Sequence, residues 1–402
     1  MECLKKNHYV EDKTLFKNQP NFQFKENIVS DFNYSYWICD TFDIYYPAKD
    51  KIEPYLAYSS IKKMEIKLVK ISNKQLIKTL EEPSNYIEKI KISYNEKNKN
   101  NYLLASDWDF MIYAYNLDDN YKFLFKITTG YTNYIYSCLI YFKLEYIITS
   151  TVGHVNNVDY IKIFSLKDGL FINNIKNSDL NDTLDCLIWE KEEKDVYIVA
   201  CCYQKIEIYN ILSGELYCIL ATEFNDSCGD YYFSGFIAND NKHLLTSSYE
   251  GFINIWDLYE KKLIKSIKFS SSFFNIIPWS IYIDYSKDKE DDKLYENFNN
   301  YILICDKMKN GIYIINFIFR KETNNFLNKI NINEKIFYKY EVISFFENKD
   351  KNPIKNIKKF KHPIFGESMV TSGEEQNINL WINNSPIIFD IFNTSFKLII
   401  NI

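Results

Sequence analysis

A short strand pattern returns seven times along this chain at nearly even intervals, and few folds are open to a chain built that way. The copies are Ile66–Ile71, Ile112–Leu117, Ile161–Leu166, Ile206–Ile211, Ile253–Leu258, Ile312–Phe317 and Ile378–Asn383. The first five begin about 45 to 49 residues apart, a period that suits one four-stranded unit per repeat. The last two gaps are longer by roughly 10 and 20 residues, which reads as insertions rather than lost repeats.

Each copy is preceded by two further runs of β-branched and aromatic residues separated by turns. The nearer are Tyr102–Ser106, Tyr146–Ser150, Val196–Cys201, Leu244–Ser247, Tyr301–Cys305 and Met369–Ser372. The farther are Ile87–Tyr94, Tyr134–Tyr141, Leu184–Trp189, Tyr231–Ile237, Trp279–Ile283 and Tyr340–Phe346. A hairpin and a fourth strand follow each copy, as where Ser213-Gly214 leads into Leu216–Leu220. The runs alternate or stay apolar over about five to seven residues, without a 3.6-residue period. The expected fold class is therefore all-β, a seven-bladed β-propeller of four-stranded antiparallel blades. Stacked repeats share one continuous core, so 402 residues read as one domain. Its boundaries are expected at 1–30 for an N-terminal extension with a ring-closing strand, 31–395 for the propeller, and 396–402 for a C-terminal strand or tail.

Composition narrows the setting. The chain has 34 Tyr, 30 Phe and 10 Gly, with Arg320 as its sole arginine, a skew that follows A- and T-rich codons and erodes signatures built on Gly and Arg. A net charge of −5 offers no general attraction to phosphate backbones, so nucleic acid is not expected as the main partner. Nine cysteines without a C-x-x-C pair fit reduced, buried thiols and a reducing compartment. Met1 to Lys17 has no apolar run, and no stretch approaches the roughly 20 apolar residues of a membrane span. The expectation is a soluble intracellular protein, cytoplasmic or nuclear.

The fifth repeat, Leu244 to Leu258, contains the Trp256-Asp257 pair, and with seven copies in register the chain resembles the WD40-repeat family of β-propellers over roughly residues 30 to 392. In that family a Gly-His pair, a strand Ser or Thr, a turn Asp and the strand Trp fix each blade. The resemblance places Asp109, Glu250 and Glu375 at the turn position and Trp256 and Trp381 at the Trp position, with Tyr115, Tyr209 or Phe164 elsewhere. Gly153-His154 falls between the second and third strands, the wrong place. Cohesion is expected to rest more on aromatic and β-branched packing than on the polar network. The ring-closing strand is expected from the N-terminus, at Asn21–Phe24 or Ile28–Ser30, in competition with Ile387–Phe392 and Phe396–Ile402.

The histidines, His8, His154, His243 and His362, stand apart from acidic or Cys neighbours at ligand spacing, and no nucleophile elbow or phosphate-cradling loop is present. No enzymatic activity, metal or cofactor is expected. The turns between second and third strands open on the face where propellers of this type bind peptides, and Trp108, Tyr203 and Tyr249 fall there, with Tyr231, Tyr232 and Trp279 at strand entrances. Two insertions, the acidic 286–300 and the basic 347–363, are expected to join first and second strands. The basic one carries Lys351, Lys355, Lys358, Lys359 and Lys361. The leading expectation is a non-catalytic, monomeric scaffold holding protein partners in a multi-subunit complex. The alternative is a propeller that binds anionic surfaces, RNA or lipid, through a Lys349–Lys361 loop.

Overall fold

In the computed structural model the described residues are 22–29, 41–60, 64–151, 161–175, 183–202, 205–221, 232–238, 240–248, 251–268, 273–278, 295–306, 311–322, 336–347, 354–364, 366–373 and 377–383. They are all-β. An N-terminal strand β1 (Phe22–Val29) precedes the first sheet, β2 (Phe42–Tyr45), β3 (Tyr55–Ser59), β4 (Ile66–Lys70) and β5 (Leu76–Leu80). The second is β6 (Ile87–Asn95), β7 (Asn100–Asp107), β8 (Met111–Asn116) and β9 (Lys122–Thr128), and the third β10 (Ile135–Tyr141), β11 (Tyr146–Thr151), β12 (Ile161–Ser165) and β13 (Phe171–Ile175). The fourth is β14 (Thr183–Glu190), β15 (Val196–Cys202), β16 (Ile206–Asn210) and β17 (Leu216–Leu220), and the fifth β18 (Tyr232–Ile237), β19 (His243–Ser248), β20 (Phe252–Asp257) and β21 (Lys262–Lys268). The sixth is β22 (Phe273–Pro278), β23 (Tyr295–Asp306), β24 (Gly311–Glu322) and β25 (Ile336–Glu347). In the last, β26 (Ile354–His362), β27 (Gly366–Gly373) and β28 (Ile378–Asn383) are completed by β1. Every pairing is antiparallel, and the repeated four-stranded sheets are propeller-like in their order. No helix among the described residues is long and apolar enough to cross a membrane.

The repeats match to the level of single residues. The pairing of third with fourth strand slips just before the same position in each sheet where it is described, at Leu68/Val69, Ala114/Tyr115, Ile163/Phe164, Ile208/Tyr209, Ile255/Trp256 and Ile314/Ile315. That bulge turns a large side chain into the space between sheets. Tyr115, Phe164, Tyr209 and Trp256 are all buried there. The next residue folds its side chain back on the turn that follows. Asn116 Oδ1 accepts from the N–H groups of Asp118 and Asp119, Asn210 Oδ1 from Leu212 and Ser213, and Asp257 Oδ1 from Tyr259 and Glu260. Short polar side chains make this Asx turn equally well, so Asn replaces Asp at no structural cost.

Where the third strand carries Trp, a polar contact accompanies the packing. Trp256 Nε1 donates to Thr246 Oγ1 and Trp381 Nε1 to Thr371 Oγ1, both at 2.9 Å. Elsewhere the donor changes, with Tyr115 Oη reaching Glu82 at 3.1 Å and Tyr209 Oη reaching Glu207 at 2.6 Å. The apolar clusters each span two neighbouring sheets. One of them joins Trp189 and Ile208 of the fourth to Leu244 and Trp256 of the fifth.

First strands of successive sheets lie side by side, and β26 returns to β2. At that seam Lys358 Nζ stands 3.6 Å from Asp43 Oδ1, Tyr46 Oη donates to Lys361 O at 2.9 Å, and Ile28 and Val29 of β1 pack with Phe42 and Phe360. Asp43 Oδ2 in turn accepts from the N–H of Ile92 in the second sheet at 2.8 Å.

Several expectations need correction. Tyr340–Phe346 is no first strand; it lies in β25, the outer strand of the sixth sheet. The first strand of the last sheet is β26, drawn from the segment read as a basic loop. Ile354, Ile357 and Phe360 supply its buried face, and Lys358 pairs with Asp43. In the sixth sheet the first strand is Phe273–Pro278, ahead of Trp279, and residues 279–283 lie outside the described residues. Residues 295–300, read as part of an acidic insertion, pair with 317–322 in an extended hairpin.

Candidate functional site

The second sheet offers the best-defined exposed feature at the end where its second and third strands turn. Trp108, Asp109 and Phe110 make that turn between β7 and β8. Asp107, fully buried, holds it: Oδ1 accepts the N–H groups of Asp109 and Met111, both at 3.0 Å, and Oδ2 accepts Tyr113 Oη at 2.8 Å. Phe110 sits at φ 59°, a left-handed conformation that the turn imposes. A non-glycine residue there carries strain that the buried carboxylate's hydrogen bonds offset.

The network reaches outward from Asp107. Tyr113 Oη is 2.8 Å from Ser84 Oγ, and Lys126 Nζ lies 3.2 Å from Ser84 Oγ and 5.2 Å from the Tyr113 ring centroid. On the surface Asn85 Nδ2 donates to Asp109 Oδ1 at 3.1 Å. The N–H of Trp108 donates to Tyr86 O at 3.0 Å.

These fixed turns present aromatic rings. Trp108 is 46% exposed and Tyr86 37%, with ring centroids 5.5 Å apart. On the same turn the half-buried Phe110 packs edge-on against the half-buried Tyr134 at the start of the third sheet, 6.1 Å away. The exposed rings of Tyr86 and Trp108 carry polar edges and lose little side-chain entropy on contact.

Of the residues expected at this face, Trp108 is on it. Tyr203, Tyr231, Tyr249 and Trp279 lie outside the described residues, as does Glu250; Tyr232 opens β18. Asp109 is exposed and bonded to Asn85, while the buried acid of the turn is Asp107. Tyr86, Phe110 and Tyr134 were not singled out from sequence. Their signal was present as aromatics flanking strand ends, but nothing local says that separate sheets bring them together.

A second feature lies where the strands point the other way. A cavity of about 430 Å³ between the first two sheets is lined by Ile44, Tyr45, Tyr46, Ala48, Ile92, Tyr94 and Asn101, with Lys51 at its edge. Asp118 braces it, accepting from the N–H of Ala48 at 2.6 Å and from Asn101 Nδ2 at 2.8 Å. Of the expected basic patch, Lys351 is outside the described residues and Lys355 falls within β26. Lys358 is paired with Asp43, Lys359 is half-buried and Lys361 is exposed.

No protein-family model matches the chain, and a search of curated proteins found no match.

Proposed function

We propose that this chain is a non-catalytic scaffold, a closed seven-bladed propeller of the WD40 type that holds protein partners on its turn-bearing face within a larger assembly. The reading rests on the exposed pair Tyr86 and Trp108, with half-buried Phe110 and Tyr134 beside them, on and around a turn that a buried aspartate network holds in place. Exposed Trp and Tyr held in fixed geometry are common anchors of partner binding. The propeller assignment is supported by the repeated register, by contacts between β2 and β26, and by β1 completing the last sheet. The family itself rests on resemblance, and from fold to function the step is one of analogy.

The test is a differential purification. The tagged wild type should retain a stoichiometric partner at moderate salt, and Trp108→Ala with Tyr86→Ala should lose it, by at least about tenfold in recovery, while melting as the wild type does. An undiminished partner in the double variant would sink the aromatic face. The alternative, binding of anionic RNA or lipid through the lysines of β26, calls for association that falls steeply between low and physiological salt.

A further inference from the structure

Strand β7 carries the Trp108 turn at one end and Asn101 at the other, and the cavity of about 430 Å³ between the first two sheets lies at the Asn101 end. Its volume falls in the range of about 300 to 1,000 Å³ typical of small-molecule pockets. The walls follow from strand ends that meet there. Tyr45 ends β2 with Tyr46 just beyond it, Tyr94 lies near the end of β6, and Ile44 and Ile92 of the same strands add apolar surface. Three tyrosine rings and two isoleucines suit a flat, largely apolar body.

These walls are held in place by the protein itself. Tyr46 Oη donates to Lys361 O at 2.9 Å and accepts the N–H of Lys361 at 2.6 Å, while Tyr46 O accepts from Asn101 Nδ2 at 2.8 Å. Asp118 closes the brace, accepting from the N–H of Ala48 at 2.6 Å through Oδ1 and from Asn101 Nδ2 at 2.8 Å through Oδ2. A ligand entering a site braced this way has few protein groups left to order, and more of its contact energy appears as affinity.

Charge narrows the ligand further. Lys51 is the one charged side chain lining the cavity; it is exposed, and its ammonium group has no partner among the described residues. The acids of the same loop are engaged by backbone: Asp50 Oδ1 accepts the N–H groups of Ile52 and Glu53, and Glu53 Oε1 accepts that of Ser72. The cation at the mouth is therefore open to a ligand, while the nearby carboxylates are already hydrogen-bonded.

We infer that this cavity is a binding site for a small molecule with a planar ring and one anionic group, the ring among the tyrosines and the charge on Lys51. A cationic ligand would meet Lys51 with like charge, and a strongly polar one would lose hydration against Ile44 and Ile92 without recovering it. At about 20 non-hydrogen atoms such a ligand should bind with a dissociation constant on the order of 10 to 100 μM. The inference is independent of the scaffold reading, since the cavity and the Trp108 turn occupy opposite ends of β7.

Fluorescence titration of the purified chain with 8-anilinonaphthalene-1-sulfonate, a planar aromatic anion, tests it. The expected result is one saturable site per chain in that affinity range, with the uncharged N-phenyl-1-naphthylamine binding at least about tenfold more weakly. Ala48→Trp, which fills the cavity, and Lys51→Glu, which reverses an unpaired exposed charge, should each weaken the sulfonate at least about tenfold. Lys194→Glu, the same charge change in an exposed turn of the fourth sheet, should leave binding unchanged. Absence of a saturable site would overturn the proposal, as would wild-type affinity in either cavity variant that melts as the parent does. Equal affinity for the charged and uncharged rings would overturn the role of Lys51 and with it the anionic ligand.

Discussion

Glu88 is the extra residue where β6 bulges against β7, between the Ile87–Asp107 and Lys89–Ser106 pairs. It is 2% exposed, its Oε2 has no hydrogen-bond partner among the described residues, and burial, followed by the nearby Asp107 charge, pushes its carboxyl up to about 8. Between its ordinary 4.5 and about 8, the folded chain therefore holds a proton that the unfolded chain has released. Stability falls as pH rises through that window. Glu88→Gln should raise stability at pH 9 by about 1 kcal/mol or more and leave it unchanged at pH 4; equal effects at both pH values would disprove the ionisation argument. Nothing in Ile-Glu-Lys-Ile says that its Glu is buried. A bulge moves a charged residue onto an inward face, and bulges are set by the pairing partner, not by local propensity.

At the scale of the element, the third strand is where sequence and structure agree most closely. All seven repeated copies lie in or overlap third strands, because alternation plus an aromatic at a fixed place is what a half-buried pleated surface requires. Trp256 locks β20 to β19 through Thr246 and fills the space toward the fourth sheet. Trp256→Ala should cost on the order of 3 to 5 kcal/mol in chemical denaturation, since it opens a cavity and orphans the Thr246 hydroxyl. A loss under about 0.5 kcal/mol would mean that the side chain is not a core residue. First strands were harder to read. Tyr340–Phe346 looks more like an inner strand than Ile354–His362 does by apolar content, yet the lysine-rich segment takes the inner place, where Ile354, Ile357 and Phe360 are buried.

For the whole molecule, the seam between the first and last sheets is the place to test cooperativity. Ile28 and Val29 are 7% and 5% exposed and pack across it with Phe42, Leu56 and Leu380. Truncating both to Ala should cost roughly 2 to 4 kcal/mol, and calorimetry should show one transition moving down as a unit. An unshifted transition would mean that β1 does not hold the sheets together. The sequence offered strands at both ends as candidates for the last sheet; β1 pairs with β28 from Phe22–Asn383 to Val29–Ile378.

The sequence by itself determined the periodic elements: strands, their alternation and the turn chemistry, all of which depend on neighbours within a few residues. Tertiary structure alone decided which strand is inner or outer, which end of the chain completes the last sheet, and which aromatics share a face. Those depend on partners far apart in the chain, as Tyr46 and Lys361 are, and no local pattern records them.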